Sequence, residues 1–385
     1  MSDPLLDSHL HLNRRHFFGK SAQGLGVAAL SSLFGDDLLA SDTPALIAPD
    51  VAPKAKRMIY LFQSGAPSQQ DLFDYKPKLI DNFGKELGDF VELNQRKTGM
   101  SAGQKSFPIA GTRYKFEKHG QSGTEISELP PHISSIADDI CLIRSMSTEA
   151  INHDPAITFF QTGFQLAGRP SIGSWLSYGL GSENQNLPGY ISIVSGGKAP
   201  SAGKSVWGSG FLPSVYQGVQ CRSKGDPVLY LSNPKGVSRG MRREAIDAIT
   251  KINQQAHAET HDPETLTRIS QYEMAFRMQA SVPEVTDLSG EPQSVLDLYG
   301  PDATELGTFA ANCLLARRLA EKGGRFIQVF ENGWDAHGNL PANIRNQTKK
   351  TDQPSAALIL FFIHISESTR LRRISYAVFC LKKKT

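Results

Sequence analysis

The stretch of this sequence that most constrains its fold runs through residues 306–330. Leu306, Phe309, Ala310, Cys313, Leu314 and Ala320 recur at helical spacing, Gly323 and Gly324 follow, and residues 326–330 (FIQVF) form an apolar run of strand type. Glycine closes a helix in the left-handed conformation without steric cost, so the segment predicts a helix, an abrupt stop and a buried strand. That succession is a crossover unit of a largely parallel sheet, and it places the chain in the α/β class. Residues 58–62 (MIYLF) and 140–143 (ICLI) read as further buried strands, with shorter ones at 190–194 and 228–231. Helices fit residues 242–257, with Ala245, Ile246, Ile249 and Ile252 on one stripe, and 262–279. The second has Asp262 as cap, Pro263 in the first turn, and Leu266, Ile269, Tyr272 and Phe276 inward.

Charge and cysteine usage exclude several functions. The chain has 385 residues, with 41 Lys and Arg against 38 Asp and Glu. This balance lacks the basic excess of a protein that grips nucleic acid by its phosphates. Six of the basic residues (Arg370, Arg372, Arg373, Lys382, Lys383 and Lys384) stand in the segment 358–385, so the slight positive excess belongs to its end. Cys141, Cys221, Cys313 and Cys380 are widely spaced, which argues against a zinc knuckle and reads as core thiols. No apolar window is long enough to cross a bilayer, so no transmembrane segment is expected.

In an open α/β sheet the ligand crevice lies outside the carboxyl ends of the strands, where residues distant in sequence converge. Three predicted strands deliver polar side chains there. After the first come Ser64, Ser68, Asp71 and Asp74, after the second His153 and Asp154, and after the third Asp335 and His337. Carboxylates and imidazoles without thiolates suit a divalent cation such as Ca, Mg, Mn or Zn. Each piece has a plainer reading. Asp71 or Asp74 serves as a turn or helix cap, His153 caps a following helix, and Asp335 with His337 forms a hydrogen bond in a surface turn. Trp334 reads as a core anchor or a pocket wall.

At the front, Asn13-Arg14-Arg15-His16-Phe17-Phe18-Gly19-Lys20 precedes a small-residue, weakly apolar stretch ending near Ala40. This resembles a twin-arginine export leader over residues 1–40, with Asn13 in place of the usual Ser or Thr. Residues 41–57, rich in Pro, Ala and Asp, read as a linker to a domain over 58–357.

The leader, the segment 60–74 (YLFQSGAPSQQDLFD), His153-Asp154-Pro155-Ala156 and Gly333-Trp334-Asp335-Ala336-His337 together resemble the domain of unknown function 1501 family. These are exported bacterial proteins abundant in planctomycetes and usually placed among alkaline phosphatase and sulfatase relatives. The resemblance implies an alkaline-phosphatase-like α/β/α sandwich, export through the twin-arginine machinery to the periplasm or beyond, and metal-dependent hydrolysis of an anionic phosphate or sulfate ester, including those of a sulfated glycan. For that chemistry Asp71, Asp335 and His337 are the expected metal ligands and His153 the expected ligand or base, with Asp74, Ser68 and Asp154 as additional candidates. Sulfatases carry Cys or Ser, x, Pro, Ser, Arg, four residues, Thr, Gly. On that ruler Pro155, Thr162 and Gly163 fall in register and make 155–161 a short helix, but His153 occupies the nucleophile's place and Ala156 and Ile157 replace Ser and Arg. Formylglycine chemistry is thereby excluded. The family usually continues past Ala357 with a further helix, a strand and a Gly-Glu-Phe-Gly-Arg-like loop, which 358–385 does not contain. The sandwich is therefore expected to be incomplete, with 358–385 an aberrant or divergent basic tail. Besides the hydrolase, the expectations include an inactive relative that binds an anionic glycan or a protein partner, and a nonfunctional truncated product.

Overall fold

A computed structural model describes residues 55–90, 103–182, 184–197, 199–222, 232–368 and 377–380. The expected leader, most of the linker and the strand predicted at 228–231 lie outside the described residues. The strands are β1 (Met58–Gln63), β2 (Phe116–His119), β3 (Thr124–Ser127), β4 (Ile140–Ile143), β5 (Tyr190–Val194), β6 (Val219–Cys221), β7 (Phe326–Glu331) and β8 (Ala377–Cys380). The helices are α1 (Gln69–Leu72), α2 (Pro77–Asp81), α3 (Pro131–Ser135), α4 (His153–Thr162), α5 (Ile172–Leu180), α6 (Arg239–Thr260), α7 (Pro263–Thr286), α8 (Gln293–Tyr299), α9 (Phe309–Glu321) and α10 (Leu340–Ser368).

The central sheet has the order β1-β7-β5-β6 and is parallel throughout. Met58 and Tyr190 both pair with Phe326, and Gln63 pairs with Glu331, so β1, β5 and β7 begin and end nearly level. Their carboxyl ends therefore form one edge. Every residue of β5 and β7 is buried, as expected of strands covered on both faces. Ile327 and Val329 pack with Cys313, Leu314 and Leu319 of α9. Phe326 and Phe330 face the other way, toward Ile157 of α4, Tyr190 and Trp207. The chain is thus an α/β sandwich. The predicted helix, stop and strand are present as α9, Gly323 at φ 97° and β7.

Two expectations are corrected. The run at 140–143 is a strand, but it pairs in parallel with β8 in a separate two-stranded sheet rather than joining the central one. Its Ile140 and Leu142 pack against a second core of Leu72, Phe73, Trp334 and Ile344. Trp334 is accordingly a core residue. The cysteines also differ from the core reading, because Cys221 and Cys313 are buried but Cys141 is exposed. The boundary expected at Ala357 falls within α10, where Ala357 and Leu358 are both buried. Residues 358–368 continue that helix.

Candidate functional site

α4 shows how local sequence aims a functional side chain. Asn152 accepts a hydrogen bond from the His153 amide at 2.8 Å, and Gly163, at φ 73°, ends the helix with its amide bonded to Phe159 at 2.8 Å. His153, Ile157 and Gln161 are four apart and share one stripe. Ile157 is buried against the sheet. Gln161 Oε1 accepts from Gln328 Nε2 at 2.8 Å, its Nε2 donates to Tyr60 at 3.2 Å, and Gln328 Oε1 accepts from Tyr190 at 2.5 Å. This buried polar chain fixes the rotation of α4 on the sheet. One turn before Ile157, the same stripe presents His153 at the helix's amino end.

The loops after β1 and β7 meet at the same edge. The Ser64 amide donates to the Glu331 carbonyl at 2.7 Å, and the Trp334 amide donates to the Ser64 carbonyl at 3.3 Å. Gly65 sits at φ 96°, and a Cβ there would stand 2.3 Å from the Asp335 nitrogen. Only glycine allows this approach. From the far side, Gln347 of α10 donates to the Gly333 carbonyl at 3.0 Å. The loop that carries Asp335 is thus tied to the β1 loop at Ser64 and to α10 at Gly333.

Three of the expected site residues come together. Asp335 Oδ2 lies 3.1 Å from His153 Nε2 and 2.8 Å from His337 Nε2. The cluster is open to solvent, with side-chain exposures of 35% for His153, 41% for Asp335 and 70% for His337. Partial burial pushes the Asp335 carboxyl upward, but the hydrogen bonds and charges of His337 and His153 outweigh this and leave it below the ordinary range.

The remaining expected residues stand in other contacts. Asp71 is buried and receives hydroxyls on both oxygens, from Ser68 at 2.6 Å and from Thr112 at 2.7 Å. Among the described residues it makes no hydrogen bond or ion pair with the His153, Asp335 and His337 cluster. Asp74 pairs with Lys76 at 3.0 Å. Asp154 is exposed in the first turn of α4.

Whether the cluster suits a divalent cation turns on its donors and their spacing. Ligands at roughly 2.0–2.2 Å from one ion, separated by about 90–110°, lie roughly 2.8–3.5 Å from one another. The two nitrogen–oxygen separations fall in that interval, and two imidazoles with one carboxylate are a suitable donor set. The residues fit. Among the described residues no group of three or more His, Cys, Asp or Glu side chains surrounds a common centre in metal-site geometry. The three side chains here close on the carboxylate oxygen itself.

Sequence reasoning missed Glu331. This last residue of β7 is buried, and burial raises its carboxyl's pKa against the pull of Lys350 and the Ser195 hydroxyl. Ser195 in turn accepts from Asn312 of α9 at 2.9 Å. The signal was an acid ending a strand buried on both faces. A carboxyl that holds its proton more tightly when folded adds stability below the ordinary glutamate range, and that stability is lost as pH rises through the folded value. Glu331→Gln is expected to flatten the decline of unfolding free energy that sets in as pH rises above the ordinary glutamate range, measured by urea titration.

Fold and site together define an α/β protein with a histidine and aspartate cluster at the carboxyl edge of a parallel sheet. The family described as "Protein of unknown function (DUF1501)" matches residues 55–360, and the chain belongs to it. No curated protein and no solved structure matches the chain.

Proposed function

We propose that the chain is an exported, metal-dependent hydrolase of phosphate or sulfate esters, related to the alkaline phosphatases and sulfatases and suited to sulfated polysaccharide. The observation that carries this reading is the convergence of His153 and His337, from distant segments, on one oxygen of Asp335 at the sheet edge where α/β proteins bind ligands. His337 and Asp335 would hold the cation, and His153 would complete its shell or take a proton from water. A divalent cation supplies charge stabilisation to an ester oxygen and makes a neighbouring water more acidic. His153 is the first residue of α4, so the helix's amino end favours an anionic substrate beside it. Asp335, held by Gly65 and linked to both imidazoles, would keep their Nε2 atoms oriented. Arg14 and Arg15 support export by the twin-arginine route to the periplasm or beyond.

A second reading, an inactive relative that binds an anionic glycan or a partner, draws on Asp71. Both oxygens of this expected ligand are already occupied by hydroxyls. One experiment separates the two readings. Purified full-length protein is analysed for metal and assayed with aryl phosphate and aryl sulfate. Stoichiometric metal with turnover that a chelator removes and added cation restores is the expected result. Absence of turnover on both substrates after loading with each of the four cations overturns the hydrolase.

A further inference from the structure

Around α5, four aromatic rings form a continuous series, three of them exposed and Tyr216 half-buried. Phe211, Trp175, Tyr178 and Tyr216 follow one another with centroid separations of 5.7, 6.1 and 5.3 Å, each ring turned steeply to the next. Phe211 is 66% exposed, Trp175 45% and Tyr178 53%. Large rings gathered on a surface in this way mark a binding site more often than chance. The scaffold beneath them is rigid. Gly210 packs so closely that a Cβ there would lie 2.3 Å from the Arg169 carbonyl carbon. Ser174 of α5 donates to the Gly208 carbonyl at 3.0 Å, and the Ser214 hydroxyl donates to Glu264 of α7 at 2.8 Å. Both turns that carry the outer rings are therefore tied to helices.

The chemistry of the occupant follows from these groups. Trp and Tyr present an apolar face together with a polar tip, which suits a ligand that is apolar on its ring faces and hydroxylated at its rim. Sugar rings have that character. Beside the series, Arg169 lies over Phe164 at 4.0 Å and pairs with no carboxylate among the described residues, leaving one positive charge for an anionic substituent. We propose that this surface binds a polysaccharide bearing anionic groups, whose sugar rings pack against the exposed sides of Phe211, Trp175 and Tyr178 while Arg169 meets a sulfate or carboxylate. The surface shares no residue with the His153, Asp335 and His337 cluster and does not require that cluster to be catalytic.

The test is affinity electrophoresis of the full chain in gels containing cellulose sulfate or, as the uncharged counterpart, hydroxyethyl cellulose. The expected result is retardation by both, stronger with the sulfate. Trp175→Ala and Tyr178→Ala should each weaken it roughly three- to tenfold. Trp175→Phe should largely restore binding, and Arg169→Gln should remove only the preference for sulfate. His153→Ala should leave retardation unchanged while removing any ester turnover, so the two proposals fail separately. No retardation in either gel, or equal retardation by wild type and both alanine variants, overturns the proposal. So does a change of self-association in the alanine variants, read by light scattering, without any polysaccharide binding, since that assigns the surface to a protein partner.

Discussion

His153→Ala is expected to lower ester hydrolysis by about 10²- to 10⁴-fold, the range for losing a positioned acid–base group. The fold should survive, because His153 is a partly exposed first residue of α4 and alanine is the best helix former. Far-ultraviolet circular dichroism should therefore be unchanged, which ties any loss of activity to the side chain. Metal content then divides the two roles proposed for the imidazole. Retained metal with lost turnover assigns it as the base, whereas loss of both assigns it as a ligand. His337→Ala is the control, expected to release metal and activity together. An active His153→Ala enzyme would reject this cluster as the catalytic centre.

The second large effect concerns stability. Phe330 is fully buried in β7, with its ring 5.6 Å from Phe62 and 5.4 Å from Trp207. Phe330→Ala should cost about 3–5 kcal/mol, a large part of the roughly 5–15 kcal/mol that holds a typical domain folded. The measure is the midpoint of urea unfolding. Wild-type stability in this variant would contradict the packing of α4 and the Trp207 segment on the sheet.

Parts of this arrangement are legible in the residues themselves. Local rules identify β1, β5, β7 and α9, because each depends on a short apolar run and its bounding glycines. The caps of α7 are equally local, with Asp262 accepting from the Glu264 amide at 2.9 Å and Pro263 at the helix start. The His153, Asp335 and His337 grouping follows from the rule that strand ends converge, although His153 arrives on the first turn of a helix beyond a strand outside the central sheet.

Other features depend on partners that periodicity cannot name. Ala245, Ile246, Ile249 and Ile252 share one apolar stripe, yet only Ile246 is buried. Spacing shows which face of α6 is apolar but not whether anything covers it. Here α6 pairs with α7, joined in part by Arg243 to Glu273 at 2.5 Å. Leu266 and Tyr272 of α7 are likewise exposed, against the inward reading. Asp71 reads as a ligand because Thr112, which occupies one of its oxygens, is far along the chain. Glu331 resembles the polar start of a loop until the register shows it level with Gln63 and enclosed.

The parallel pairing of β1 with β7 also sets the order in which the molecule can be made. β1 leaves the ribosome early, whereas the strand beside it emerges only after most of the domain has been synthesised. At about 5–20 residues per second, translation leaves β1 without that neighbour for tens of seconds. During that interval its unpaired backbone is open to wrong partners, so a chaperone that shields the nascent chain would have most effect before β7 appears.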